Sequence, residues 1–430
     1  MLQRLDLRGA KPGDWRPLLP RPHAAKEPPI DAVQAILAEV RAGGDAAVRD
    51  LTERFDGVRV DELRVPPGEL KAALDATAPA LREALEVAND AIVAFHRQQL
   101  RGDELHQQDG LTVREVRRPV DRAGVYVPGG TAPLVSSVLM SAVPARVAGV
   151  SEVVVCSPPT AGGTVAPAIL AAAALAGVND VYRVGGAQSV AAMAYGTESI
   201  RAVDVIVGPG NIYVSLAKRE VAGEGAVGVP GSFAGPSEVV VVADETVPAE
   251  FAAIDVVVQA EHGPDGLAWL ITWSEATAEA VSTEVARIVA ASPRRSQIEA
   301  TLGEGGYAVL VDGPEQALEV ANAIAPEHLE LMCDGAEDLV ALVRHAGAVF
   351  CGPWSPASVG DYVAGPSHVL PTYGSARFAS ALRVDDFVKT IHVVSVDEAG
   401  LARLAPHVAA LAEAEGLAAH AESVRIRGRG

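Results

Sequence analysis

Residues 203–211 read VDVIVGPGN, a short apolar run that breaks at a Gly-Pro-Gly turn and leads into a helical stretch. The same phrase of strand, glycine or proline turn and helix occurs in AGVYVPGG (123–130), SEVVVCSPP (151–159) and DVYRVGGAQ (180–188). Strands that alternate with helices in this way build βαβ units and a mainly parallel sheet. A second series follows residue 237: SEVVVVAD, GLAWLITW, GYAVLVDG, LELMC and GAVFCG, again separated by helical segments. Two doubly wound, Rossmann-like α/β lobes are expected.

Outside these series the chain reads as helical. PIDAVQAILAEVRAGGDAAVRDLTERFDG (29–57) and the segment 66–100 carry apolar residues at helical spacing, with Pro at the starts and Gly after the first. His96 and His106 lie in or beside this part and read as surface or helix-face residues rather than ligands. The expected organisation is an N-terminal segment (1–25), a discontinuous first lobe (26–123 with 237–380), a second lobe on the cofactor side (124–236) and a C-terminal helical arm (381–430).

Composition narrows the function. A 430-residue chain with 49% hydrophobic and 21% charged residues is globular and long enough for more than one core. Its formal charge of -20 argues against a nucleic-acid partner, because phosphate backbones need a basic face. The start MLQRLDLRGAKPGDW resembles no targeting segment, and no apolar run is long enough to span a bilayer, so a cytoplasmic protein is expected. Cys156, Cys333 and Cys351 lack CxxC spacing, which favours neither disulfides nor a thiolate metal site. Cys156 reads as a core strand residue, and nothing near Cys333 in LELMCDG activates it as a nucleophile.

Carboxylates and histidines cluster at the ends of elements. In FAAIDVVVQAEHG (251–263), Phe251, Ile254, Val257 and Val258 mark an apolar helix face, Gly263 is a natural stop, and Gln259 and His262 share the last turn. APEHLEL pairs Glu327 with His328 just before a strand, where a turn or helix start would let both side chains serve one site. SVGDYVAGPSHVLPT holds Asp361 and His368, and AEGLAAHAES holds Glu415 and His420. One lone histidine reads as a cap or surface residue, but four such clusters favour a site. Their donors suit zinc or manganese. GPGNIY has the first two glycines of a dinucleotide fingerprint and Tyr213 in place of the third, a weak signal by itself.

Seven stretches in order, YVPGGTAPLVSSVLM, VGGAQSVAAMAYGTESI, GPGNIYVSLAKR, AGPSEVVVVAD, QAEHGPD, APEHLEL and SVGDYVAGPSHVLPTYGSARFASALRVDDFVK, closely resemble the histidinol dehydrogenase family, from about residue 30 to the C-terminus. One departure is VPGSF ahead of AGPSE, where the family usually carries an Asp; it bears on contacts near Ser232. The resemblance implies oxidation of L-histidinol through the aldehyde to L-histidine with two NAD, in a homodimer that exchanges its C-terminal arm. It further implies Gln259, His262, Asp361 and His420 as ligands of one zinc per subunit. Ser237, His368, Glu327 and Glu415 would join these as substrate contacts, and Tyr126, Gln188 and Asn211 would contact NAD. His328 would be the base for the hydroxyl proton and Glu327 the activator of water. A zinc hydrolase or a non-enzymatic two-lobed binder would use part of the same equipment.

Overall fold

The computed structural model describes residues 1–20, 28–129, 133–178, 180–231, 235, 237–261 and 266–428. Its strands are Gln3–Asp6 (β1), Glu104–Gln108 (β2), Leu111–Pro119 (β3), Arg122–Tyr126 (β4), Glu152–Ser157 (β5), Asp180–Arg183 (β6), Val205–Val207 (β7), Glu238–Ala243 (β8), Leu267–Thr272 (β9), Gly306–Leu310 (β10), His328–Met332 (β11), Ala348–Cys351 (β12) and Val388–Val396 (β13). Every expected strand is present, and two parallel sheets result, in the orders β6-β5-β4-β7 and β1-β10-β9-β8-β11-β12.

Both sheets are apolar on both faces, as parallel sheets between helices must be. In the four-stranded sheet Val125, Val153 and Val155 enter one core, while Tyr126, Val154 and Cys156 enter the core on the other face. In the six-stranded sheet Val240, Trp269 and Val309 alternate in the same way with Val239, Leu270 and Ala308.

The expected grouping of residues 26–123 with 237–380 is corrected. Val33, Val40, Val48 and Leu51 of helix Ile30–Asp56 bury against Tyr126, Val190 and Val214, and Leu85 and Ile92 of helix Pro79–Arg97 bury against Val138 and Val153. These helices therefore complete the four-stranded lobe. The N-terminal segment belongs to the other lobe, because β1 pairs in parallel with β10 at its edge. The arm also begins later than expected: β13 pairs antiparallel with β3, which pairs with β2, and this third sheet was not foreseen. Only Glu398–Ala414 and Ala418–Arg425 form a helical pair, packed on each other through Ala409, Ala412 and Ala421.

Candidate active site

The polar residues gather at the amino ends of β8 and β11, rather than beyond the carboxyl ends where an open α/β sheet usually binds its ligand. Helix Ala249–Ala260 runs back from β8 and returns Gln259 to this end. Val257 of the expected apolar face is buried and Phe251 packs on the core, but the expectation is corrected at Ile254. Ile254 is 41% exposed, whereas Ala252, Ala253, Val256, Val257 and Ala260 are buried together with Asp255 and Gln259. Small residues let the helix lie close to the sheet. The helix ends at Ala260, and the expected stop at Gly263, like His262, lies outside the described residues.

The chain bends at Glu327, and β11 opens at His328. That bend turns both side chains into one buried group. Gln259 Nε2 lies 3.0 Å from His328 Nδ1 and 3.4 Å from Glu327 Oε2. His328 Nε2 lies 3.3 Å from Asp361 Oδ1, and the Glu238 amide donates to Glu327 Oε2 at 3.0 Å. Asp361 belongs to the short helix Ala357–Tyr362. Its carbonyl oxygen is 2.9 Å from His368 Nδ1, and His368 Nε2 is 3.3 Å from Ser137 Oγ of the other lobe. Ser367 Oγ donates to Met140 O at 3.0 Å, so the 361–368 loop joins the two lobes beside the site.

Enclosure changes the acids and the base. Burial, reinforced by Glu327, pushes Glu238 up to about 8. Burial likewise pushes Glu327 up to about 7, against the pull of His328. For His328 burial acts downward, but Glu327 and Asp361 outweigh it and carry the imidazole to about 9. The two neighbouring carboxylates therefore favour the protonated imidazole of His328. Cys333 is pushed up to about 12 by burial, which leaves no thiolate to act as a nucleophile.

The sequence profile of histidinol dehydrogenases matches residues 19–428. The chain belongs to the histidinol dehydrogenase family. It is 50% identical over 396 residues to the histidinol dehydrogenase of Parasynechococcus marenigrum (strain WH8102), covering 92% of this chain and 90% of that one. It is 47% identical over 406 residues to that of Moorella thermoacetica, covering 94% and 95%. The crystal structure of histidinol dehydrogenase from Elizabethkingia anophelis superposes with a TM-score of 0.94 at 34% identity, covering 99% of this chain and 98% of that one. As a member of this family of oxidoreductases, the chain takes its fold from the two parallel sheets and their helices.

Against the family expectation, the structure brings together Gln259, Glu327, His328, Asp361 and His368. Ser237 precedes Glu238 at the mouth of β8 and is partly buried. Glu415 and His420 are not enclosed with them; both are exposed on the arm. Among the described residues no group of three or more His, Cys, Asp or Glu is arranged to hold a metal ion. Glu238 and Ser137 were missed in the sequence. A carboxylate opening an otherwise apolar strand was the available signal for Glu238, whereas Ser137 in a helix gives none.

The Tyr126, Gln188 and Asn211 group lies at the carboxyl ends of the four-stranded sheet. Gly208 has φ +102°, and a Cβ there would come within 2.1 Å of Tyr126 O, so the turn after β7 packs directly on β4. Asn211 caps helix Ile212–Gly223 by accepting from the Val214 amide at 3.2 Å. Tyr126 is only 4% exposed, and its phenol is pushed up to about 12 by burial, which fits a wall of the turn better than an exposed contact. Gln188 Nε2 is buried and has no hydrogen-bond partner among the described residues.

Proposed function

We propose that this chain oxidises L-histidinol to L-histidine in two successive two-electron steps, and the enclosed Gln259–Glu327–His328–Asp361 group carries that reading. In the first step the neutral fraction of His328, the form able to accept a proton, takes the hydroxyl proton while hydride leaves the carbinol carbon, so with the imidazole raised to about 9 this step quickens as pH rises toward that value. The product is the aldehyde. In the second, Glu327 draws a proton from water as the water oxygen adds to the aldehyde carbon, and the hydrate then loses hydride to give the carboxylic acid. Glu327, raised to about 7, is a suitable base for that task. NAD, when bound, would supply the hydride acceptor for each step, two per histidinol.

The residues present fit both groups. Gln188 with its unpartnered amide, and the capped helix start at Asn211, fit the polar parts of a dinucleotide. Gln259 spends its amide nitrogen on Glu327, which leaves the amide oxygen as a metal donor beside the Asp361 carboxylate. His262 and His420 would complete the set. Bound zinc would hold and orient the substrate's imidazole and amino group. Ser237, His368 and Glu415 would then be substrate contacts.

The arm supports a homodimer with composite sites. Val408, Leu411, Leu417 and Ile426 are exposed on it, as are Trp354, Tyr362 and Phe378 in the segments that flank Asp361 in sequence. Exchange of arms between subunits would cover both sets and deliver Glu415 and His420 to the partner's site. Among the described residues no helix is long and apolar enough to cross a membrane.

The test is absorbance of NADH on adding L-histidinol to the purified protein, before and after chelation. Two NADH per histidinol, lost on chelation and restored by zinc or manganese, is the expected result. A hydrolase or a plain binder would yield no NADH. Full activity in protein shown to be metal-free would remove the metal assignment.

A further inference from the structure

Beneath the catalytic group lies a second buried layer that the chemistry above does not use. Asp255 is one helical turn before Gln259, and Glu330 is two residues after His328 on the same face of β11. Asp255 is 7% exposed and Glu330 1%. Their carboxyl groups interact, and Glu330 Oε2 is buried with no other hydrogen-bond partner among the described residues, so it is open to Asp255. Glu330 Oε1 also accepts from the amide of Ala357 at 3.3 Å, the first residue of the short helix that carries Asp361. The three segments that supply Gln259, His328 and Asp361 are thus tied together twice, once by those side chains and once below them.

We infer that Asp255 and Glu330 are a positioning pair that fixes Gln259, His328 and Asp361 in mutual register. Two buried carboxyls can bond only if one keeps its proton. Burial, reinforced by Asp255, holds Glu330 well above the usual carboxyl range, so Glu330 is the donor and Asp255 the acceptor. A glutamine at 330 would supply the same two contacts, a donor toward Asp255 and an acceptor for Ala357. Leucine would supply neither and would leave Asp255 buried without its partner.

The inference rests on the site reading given above, and its test separates the two. Glu330→Gln is expected to stay within about two-fold of wild type in kcat and in zinc affinity measured by competition with a chromophoric chelator. Glu330→Leu should weaken zinc binding by roughly the 10- to 100-fold seen when the outer support of a ligand is lost, with a comparable fall in kcat and an unchanged KM for NAD. Ala357→Pro serves where Glu330→Leu fails to fold. It removes the N–H and adds two ring carbons, at a first helical position that proline favours, after Pro356, which already has extended angles of φ -68° and ψ 151°. It should show the same losses in folded protein. Wild-type kcat and zinc affinity in folded Glu330→Leu or Ala357→Pro would overturn the inference, as would a Glu330→Gln variant as impaired as the leucine. Wild-type protein that binds no zinc overturns the metal reading instead, and the pair is then judged on kcat and its rescue by glutamine.

Discussion

Glu327 and His328 are neighbours in sequence with separable tasks. Glu327→Gln keeps the size of the side chain and its bond to the Glu238 amide but cannot take a proton from water. Oxidation of added histidinal should fall by roughly 10²- to 10⁴-fold, the usual cost of losing a general base, while the first turnover of histidinol to aldehyde is less affected. His328→Asn should depress both. Single-turnover NADH formation with each substrate checks this, and equal small effects of both substitutions would contradict the roles. Cys333 gives a complementary test, since aldehyde oxidation could in principle use a thiol. With its thiol pushed to about 12, iodoacetamide at pH 7 should not inactivate the enzyme, and Cys333→Ser should retain full kcat. Rapid inactivation protected by substrate would restore Cys333 as a candidate.

At the scale of elements, Lys218 shows how a helix can carry a cost to hold a turn. It is 1% exposed on helix Ile212–Gly223, and its Nζ donates to Gly208 O at 2.8 Å. Burial lowers its pKa from 10.5 to about 8. Between those values the unfolded chain binds more protons than the folded one, so this group makes stability rise with pH across the window, while its burial cost is full below about 8. Relative to Lys218→Met, wild type should gain up to about 3 kcal/mol between pH 8 and pH 10.5 in urea unfolding; a constant difference would contradict the shift. Strands and glycine turns such as this one were legible because runs buried on both faces carry a continuous apolar signal. Packing was less so. Periodicity selected Phe251, Ile254, Val257 and Val258 as the apolar face of the Gln259 helix; Val257 is buried and Phe251 packs against the core, but Ile254 is exposed and Ala252, Ala253 and Ala260 are buried in its stead, because closeness of approach outweighed side-chain size. The β2–β3 hairpin was marked by Asp109–Gly110, both at positive φ, a turn signal that the surrounding polar residues obscured. The pairing of β13 with β3 joins segments far apart in sequence and leaves no local pattern.

At the scale of the whole molecule, the proposed function would leave the catalytic group of one chain incomplete. Gln259 is buried and Asp361 partly buried against its own sheet, but Glu415 and His420 are exposed on a helical pair whose small apolar core, among the described residues, is Ala409, Ala412 and Ala421 with Val424 packed on it. A core that small cannot hold two helices in place without a larger surface to dock on. The arm is anchored at its base by Asp397, which caps the first arm helix by accepting from the Gly400 amide at 2.7 Å, and by Arg403 bonded to Asp109 O at 2.9 Å. On the proposed reading the helical pair beyond that base docks on a second subunit. A closed two-fold dimer would then contain two sites, each built from the Asp361 of one chain and the His420 of the other. Mixing two inactive variants tests this directly. Asp361→Ala and His420→Ala are unfolded and refolded together. A mixed dimer with exchanged arms holds one site carrying both defects and one carrying neither. Random pairing makes half the dimers mixed, so about a quarter of wild-type activity should return. If each arm serves its own chain, every site keeps one defect, and the mixture stays as inactive as either parent.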